Sequence, residues 1–278
     1  MTRLTVSWFA LVLASCAKDP PPPPERTEPW QNVPTTAPKG ALAARFAIEG
    51  RCQAIVTLPA KEETPRGTIR VARGELRTNL LDLSTTTGTV ELDVASIAMD
   101  PVKGQDALES TRMARNWLNV GDSRPEAERE RQRWARFEIT SVEDLSHSDA
   151  FEARAIRVPL AMADGQATKL DASAPFEELR RIRLTAVGRL TLHEIRVEKK
   201  VPLELELRWQ RPAEGREPPT ALHIRTRKPL VVTLAAHDIV PRDTRGEAVT
   251  ADQKLLGVRV GREARVEISL EARRLVSD

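Results

Sequence analysis

The chain has 278 residues, a formal charge of +3 and 30% charged residues in which both signs are interspersed, so no single-sign run builds a nucleic-acid groove or a polybasic membrane patch. Its two cysteines, Cys16 and Cys52, leave no intramolecular disulfide if Cys16 is spent on an anchor. The four histidines, His147, His193, His223 and His237, lack the spacing that places two ligands on one metal.

The first element is Arg3 followed by the apolar run Leu4 to Leu13, closing on Leu13-Ala14-Ser15-Cys16. Its length suits a signal-peptide apolar region and falls short of the roughly 20 residues of a spanning helix. The small-small-cysteine ending resembles the lipobox of exported lipoproteins, which makes residues 1–15 a lipoprotein signal peptide and Cys16 the lipidation site. Loss of the signal removes only Arg3 among the charges and leaves +2. Stable anchoring takes more than one acyl chain, at about 0.8 kcal/mol per buried methylene, and a triacylated cysteine supplies that. Residues 16–40 then carry the run Pro20 to Pro24 together with Pro29, Pro34 and Pro38. Proline locks φ and removes donors, so this segment reads as a polyproline II tether of up to ~70 Å at about 3.1 Å per residue. A docking motif for a proline-binding domain is the competing reading. Ala17 stands where an aspartate would favour inner-membrane retention in many bacteria, so the expected location is the cell envelope, on the periplasmic face of the outer membrane.

Residues 41–278 read as one domain, long enough to bury a substantial core and without a second linker. Arg51 to Leu58 puts Cys52 on one strand face with Ala54, Val56 and Leu58, which predicts a buried, inert thiol. Weaker strands fit Thr68 to Val71 and Glu75 to Leu83, and Val90, Leu92 and Val94 mark a clear one beyond Gly88, read as a turn residue. Asp106 to Leu118 is predicted helical, with Asp106 and Glu109 at capping-box spacing and Ala107, Thr111, Ala114 and Leu118 on one stripe. A second, charged helix should start at Ser123 and run to Arg133, with Glu126 at capping-box spacing and the pairs Glu126–Arg129, Glu128–Arg131 and Glu130–Arg133. Both helices fall in one inter-strand connection, as a solvated crossover or a lid. Alternation returns at Ala135, Phe137, Ile139; at Ile182, Leu184, Ala186; at Leu190, Leu192; through Val201 to Trp209; and at Val266, Ile268, Leu270. Weaker strands fit Phe151 to Met162, Ala221 to Arg225 and Leu230 to Ala235, with Gly188 and Gly215 as turns. Such alternation argues for an all-β, antiparallel fold with one wet and one dry face, a sandwich or a closed barrel with one or two short helices inserted.

Catalytic constellations are missing from this pattern. Nucleophile-elbow and phosphate-cradling motifs do not occur, and Glu62-Glu63 and Glu177-Glu178 read as solvated loop charges. His237-Asp238, with Asp243 nearby, could orient a base or bind a cation, but a hydrogen-bonded turn after the Leu230 to Ala235 strand is the simpler reading. The expectation is a protein without enzymatic activity, metal or cofactor.

Three segments, in order, carry a resemblance: Gly88-Thr89-Val90-Glu91-Leu92-Asp93-Val94-Ala95-Ser96-Ile97; Ala135-Arg136-Phe137-Glu138-Ile139-Thr140-Ser141-Val142; and Val187-Gly188-Arg189-Leu190-Thr191-Leu192-His193-Glu194-Ile195 followed by Val201-Pro202-Leu203. With a closing strand at Ala264 to Ala272 the chain resembles the YceI-like family of exported, lipocalin-like polyisoprenoid-binding proteins over residues 40 to 275. The resemblance implies an antiparallel barrel that holds a long apolar chain, an isoprenoid or a fatty-acyl group. Val90, Leu92, Val94, Phe137, Ile139, Leu203, Leu205 and Leu207 would then line the cavity, although the same residues would equally form a filled core. Two departures bear on the ligand. Arg115-Asn116-Trp117-Leu118 stands in place of the family's Arg-Asp-x-x-Leu, and His237 to Asp243 replaces its late arginine and Phe-Gly segment. Two functions follow: a membrane-anchored lipoprotein that binds or sequesters an amphiphilic lipid, or an adaptor with a filled barrel that docks an envelope protein, or a second copy, through its helical insertion.

Overall fold

The computed structural model describes residues 42–60, 64–102, 106–159, 176–210, 216–242, 247–248, 254–255, 258–259 and 261–275. The signal segment, Cys16, the proline-rich tether, Glu62-Glu63, Gly215 and Asp243 lie outside the described residues.

The period-two alternation is used by eight long strands: β1 (Ala43–Thr57), β2 (Arg66–Asn79), β3 (Asp82–Asp93), β4 (Trp134–Glu143), β5 (Phe176–Leu192), β6 (Ile195–Trp209), β7 (Ala221–Thr226) and β8 (Glu263–Arg274). Each pairs antiparallel with its neighbours in sequence, and β1 also pairs with β8, so an up-and-down meander closes on itself as a barrel. Closure is what such a sheet needs to avoid exposing a row of unpaired amides. Three short strands extend the ring: Ala98–Met99 beside β2, Ile156–Pro159 beside β5, and Leu230–Thr233, which continues from β7 along β8.

Inward residues are apolar, as in β5, where Ile182, Leu184, Ala186, Leu190 and Leu192 are buried and alternate with arginine and threonine. The outer face carries ion pairs within and between strands. Glu75 lies between Arg45 and Arg77 at 2.9 and 2.7 Å, Glu206 between Arg181 and Arg208 at 2.9 and 2.8 Å, and Glu204 pairs with Arg225. Exposed pairs of this kind contribute at most about 1 kcal/mol each. Their larger effect is to commit the outside of the barrel to water, the inverse of a membrane-spanning barrel with its apolar outer band.

Gly88 and Gly188 are strand residues, not the turns that composition suggested. A Cβ at Gly88 would sit 2.4 Å from the Glu75 carbonyl oxygen, and one at Gly188 2.1 Å from that of Glu138. Both mark points where neighbouring backbones of a bent sheet come too close for any side chain. The segment Glu75 to Leu83 is not one strand: Leu80-Leu81 form the turn between β2 and β3. Phe151 to Ala153 belong to a turn before Ile156–Pro159, residues 160–162 lie outside the described residues, and the Leu230 segment leaves strand geometry at Leu234.

The helices α1 (Ala107–Trp117) and α2 (Glu126–Gln132) both lie in the connection between β3 and β4, as expected. Asp106 caps α1 by accepting the Glu109 amide at 2.8 Å. The box expected at Ser123 does not form; Pro125 occupies the N-cap of α2, and the Ser123 hydroxyl donates to Asn116 Oδ1 at 3.2 Å, fastening the two helices together. Of the three charge pairs expected on α2, Glu130–Arg133 forms, and Arg124–Glu128 and Arg129–Asp122 accompany it. The buried carboxylate of Asp93, at the end of β3, accepts the Ala95 amide and two Arg133 donors at 3.1 and 2.9 Å, so one side chain clamps both ends of the insertion to the barrel.

The apolar cavity of the barrel

Inward side chains of the ring strands do not fill the barrel; they surround a cavity of about 190 Å³. All eight residues singled out in the sequence lie on its wall. β3 supplies Val90 and Leu92, β4 supplies Phe137 and Ile139, and β6 supplies Leu203, Leu205 and Leu207. Val94 is on the wall too, but from a short 3₁₀ turn, Val94–Ser96, instead of a strand, because the Asp93 carboxylate captures the Ala95 amide and ends the extended backbone.

The residues that close the end of the barrel nearest the helices were not legible as site residues. Trp117 and Leu118 come from the end of α1, and Leu234 and Ile239 from the segment after Leu230–Thr233. The expected α1 stripe is rotated: Ser110, Ala114, Asn116 and Trp117 are its buried positions, while Thr111 accepts the Met99 amide at 2.9 Å. The signal was available in Asn116-Trp117-Leu118, where a bulky aromatic follows the amphipathic segment, but helical periodicity does not reveal which stripe meets a barrel mouth.

Polar groups on the wall are few. Thr78 and Thr86 hydroxyls bond each other at 2.7 Å, Thr86 also donates to the Leu83 carbonyl at 2.8 Å, and Thr226 accepts the Ile268 amide at 3.0 Å. Trp117 Nε1 is the one wall donor, among the described residues, without a hydrogen-bond partner. Among the described residues no charged side chain lines the cavity. A wall of this chemistry cannot orient a polar substrate or hold an ion; it can take apolar surface out of water, at about 25 cal/mol per Å² and without directional demands.

Two histidines tie the helical end together. His193 and Glu194, both at positive φ, make the two-residue turn between β5 and β6. His193 Nε2 lies 2.8 Å from the Leu118 carbonyl at the end of α1, and His237, fully buried, places Nδ1 3.3 Å from the Leu192 carbonyl. Burial pushes both imidazoles below the usual histidine range. The His237-Asp238 pair is the hydrogen-bonded turn anticipated from sequence: Leu234–His237 is a 3₁₀ turn capped by Asp238 at φ 51°. Among the described residues no group of three or more histidine, cysteine or acidic side chains could hold a metal ion. Cys52 is half-buried, its thiol donating to the Ile69 carbonyl at 3.6 Å, and burial pushes its pKa up.

An antiparallel barrel of sequential strands, charged outside and hollow and apolar inside, defines a lipocalin-like β-barrel. Among solved structures the chain is similar to a polyisoprenoid-binding domain from Saccharophagus degradans implicated in plant cell wall breakdown, at 13% identity and a TM-score of 0.44, over 84% of this chain and 99% of that one. It is also similar to BcnA of Burkholderia cenocepacia, at 10% identity and a TM-score of 0.42, over 79% and 95%. No family model and no curated protein matches the chain. Both likenesses are of fold.

Proposed function

We propose that this chain is a membrane-anchored envelope lipoprotein whose barrel binds or sequesters an amphiphilic apolar ligand, an isoprenoid or fatty-acyl lipid, and catalyses no reaction on it. The observation that carries the proposal is a cavity through the barrel whose three hydroxyls are already engaged within the protein and whose remaining wall is almost wholly hydrocarbon. A ligand gains there by burying a chain, so the chemistry selected is length and apolarity. In this reading an acylated Cys16 anchors the protein to the periplasmic face of the outer membrane, and the tether of residues 16–40 holds the barrel within reach of the bilayer that supplies its lipid.

Native mass spectrometry of the chain purified from a bacterial envelope, followed by organic extraction, tests the carrier reading. Co-purifying isoprenoid or acyl lipid supports it and names the ligand class. A clean protein that also fails to take up an apolar fluorescent probe overturns it and leaves the adaptor, for which Leu108 on α1, 79% exposed, is the feature that would meet a partner. Metabolic labelling with palmitate that persists in Cys16→Ser would sink the anchor.

A further inference from the structure

One lateral break in the ring lies beside β6. β6 is paired along its whole length with β5, from Ile195 opposite Leu192 to Trp209 opposite Glu178. On its other side β7 covers only Leu203 to Arg208, and the last backbone bond is the Arg227 amide donating to the Pro202 carbonyl at 2.9 Å. The chain then bends at Arg227-Lys228, and Leu230–Thr233 pairs with β8 instead of β6. The first half of β6 is therefore an edge on the side facing Leu230–Thr233. Pro202 explains where it begins. N–H and C=O of one strand residue point to the same side, so the side on which Pro202 accepts from Arg227 is the side on which it has no donor to return.

One charged residue spans this break. Along β6 the exposed positions are Arg196, Glu198 and Lys200, while Val197, Lys199 and Val201 share the register of the wall residues Leu203, Leu205 and Leu207. Lys199 is thus a cation at an inward position, next along the strand from Val201 of the cavity wall. Its ammonium reaches across the break and donates to the Val231 carbonyl at 3.0 Å. That is one neutral acceptor for three donors. Wall residues flank the break on both sides, Val201 and Leu203 on β6, Leu230 and Val232 opposite.

Taking the cavity as the ligand site proposed above, we propose that this seam is its mouth, and that Lys199 binds the anionic head, carboxylate or phosphate, of a ligand whose apolar chain lies in the barrel. The ammonium exchanges the Val231 carbonyl for a charged oxygen, which forms the stronger hydrogen bond. The proposal narrows the ligand class from apolar lipids in general to chains ending in an anion.

Titration of the purified full chain with cis-parinaric acid and with its uncharged methyl ester tests this. The acid should bind more tightly than the ester. Lys199→Gln, which keeps a donor for the Val231 carbonyl, should weaken the acid about five- to tenfold and leave the ester unchanged. Lys200→Gln, on the outer face where Lys200 meets Glu143 at 2.6 Å, should change neither. Displacement of the probe by farnesyl phosphate or by a fatty acid, each compared with its alcohol, then assigns the head as phosphate or carboxylate. Equal affinity for acid and ester, or equal losses in the two lysine variants, overturns the headgroup site while leaving the carrier intact. If neither acid nor ester binds to the unmodified chain, the carrier reading itself has failed.

Discussion

Ala186 is fully buried on β5 and lies on the cavity wall, one inward position from Gly188 and opposite Val201 on β6. Ala186→Phe adds the equivalent of a benzene ring to the interior. In a filled barrel such overpacking costs about 1–3 kcal/mol. A dry cavity of about 150 Å³ is known to accept benzene, and the cavity here is about 190 Å³, so the ring has room. Burying a phenyl group stabilises by about 1.5–3 kcal/mol against leaving it in water, from which rotamer and contact strain subtract about 1–2. The expected net effect lies between a loss of about 0.5 and a gain of about 2 kcal/mol. For a domain of this size, at about 2–4 °C per kcal/mol, Tm moves by between about −2 and about +8 °C. The same ring occupies the ligand's place, so affinity for an apolar fluorescent probe should fall at least tenfold. Thermal unfolding followed by circular dichroism and a probe titration read the two quantities on one preparation. A drop in Tm of several degrees together with unchanged probe uptake would falsify the hollow-barrel reading, because a packed core suffers from the extra atoms and an external probe site does not notice them.

Three further outcomes are expected. Gly188→Ala forces a Cβ against the Glu138 carbonyl and must open the ladder between β4 and β5, costing about 1–3 kcal/mol and lowering Tm in the same melts. Stability should fall as pH is lowered through about 6.5: His193 and His237 are held neutral by burial, the unfolded chain takes up protons first, and the loss levels off only below the depressed folded pKa values. Replacing both by Gln should flatten the difference between melts at pH 7.5 and 5.5. Asp106→Ala removes the α1 cap at a cost of about 1 kcal/mol, and amide hydrogen exchange should quicken at Glu109 and along α1 while the barrel strands stay protected.

Much of the barrel was legible because strand alternation reports a half-buried sheet directly. The Val201 to Trp209 run, the Ile182 to Ala186 triplet and the eight proposed wall residues all depend on that period, and it is preserved through β5 and β6 without a register shift. Turn chemistry misled where glycine served close approach instead: Gly88 and Gly188 carry the same local signal as a turn, and only the backbone lying against them distinguishes the two. Leu80-Leu81 makes a turn without glycine or proline: Asn79 accepts the Leu81 amide through its side chain at 3.1 Å, while the core holds Leu80 fully buried. Ser123 met the capping-box pattern, but Asn116 offered its hydroxyl a partner through tertiary packing.

Period and charge placement belong to the sequence alone, and they determine that this chain forms an antiparallel sheet with an apolar inner face and a charged outer face. Whether the inner face encloses space or fills it depends on how eight strands curve around one another and on Trp117, Leu118, Leu234 and Ile239 meeting over one end. Hydrophobic burial is non-directional, so an inward leucine reads the same against a neighbour as against a void, and the distance between opposite walls exists only once the ring has closed.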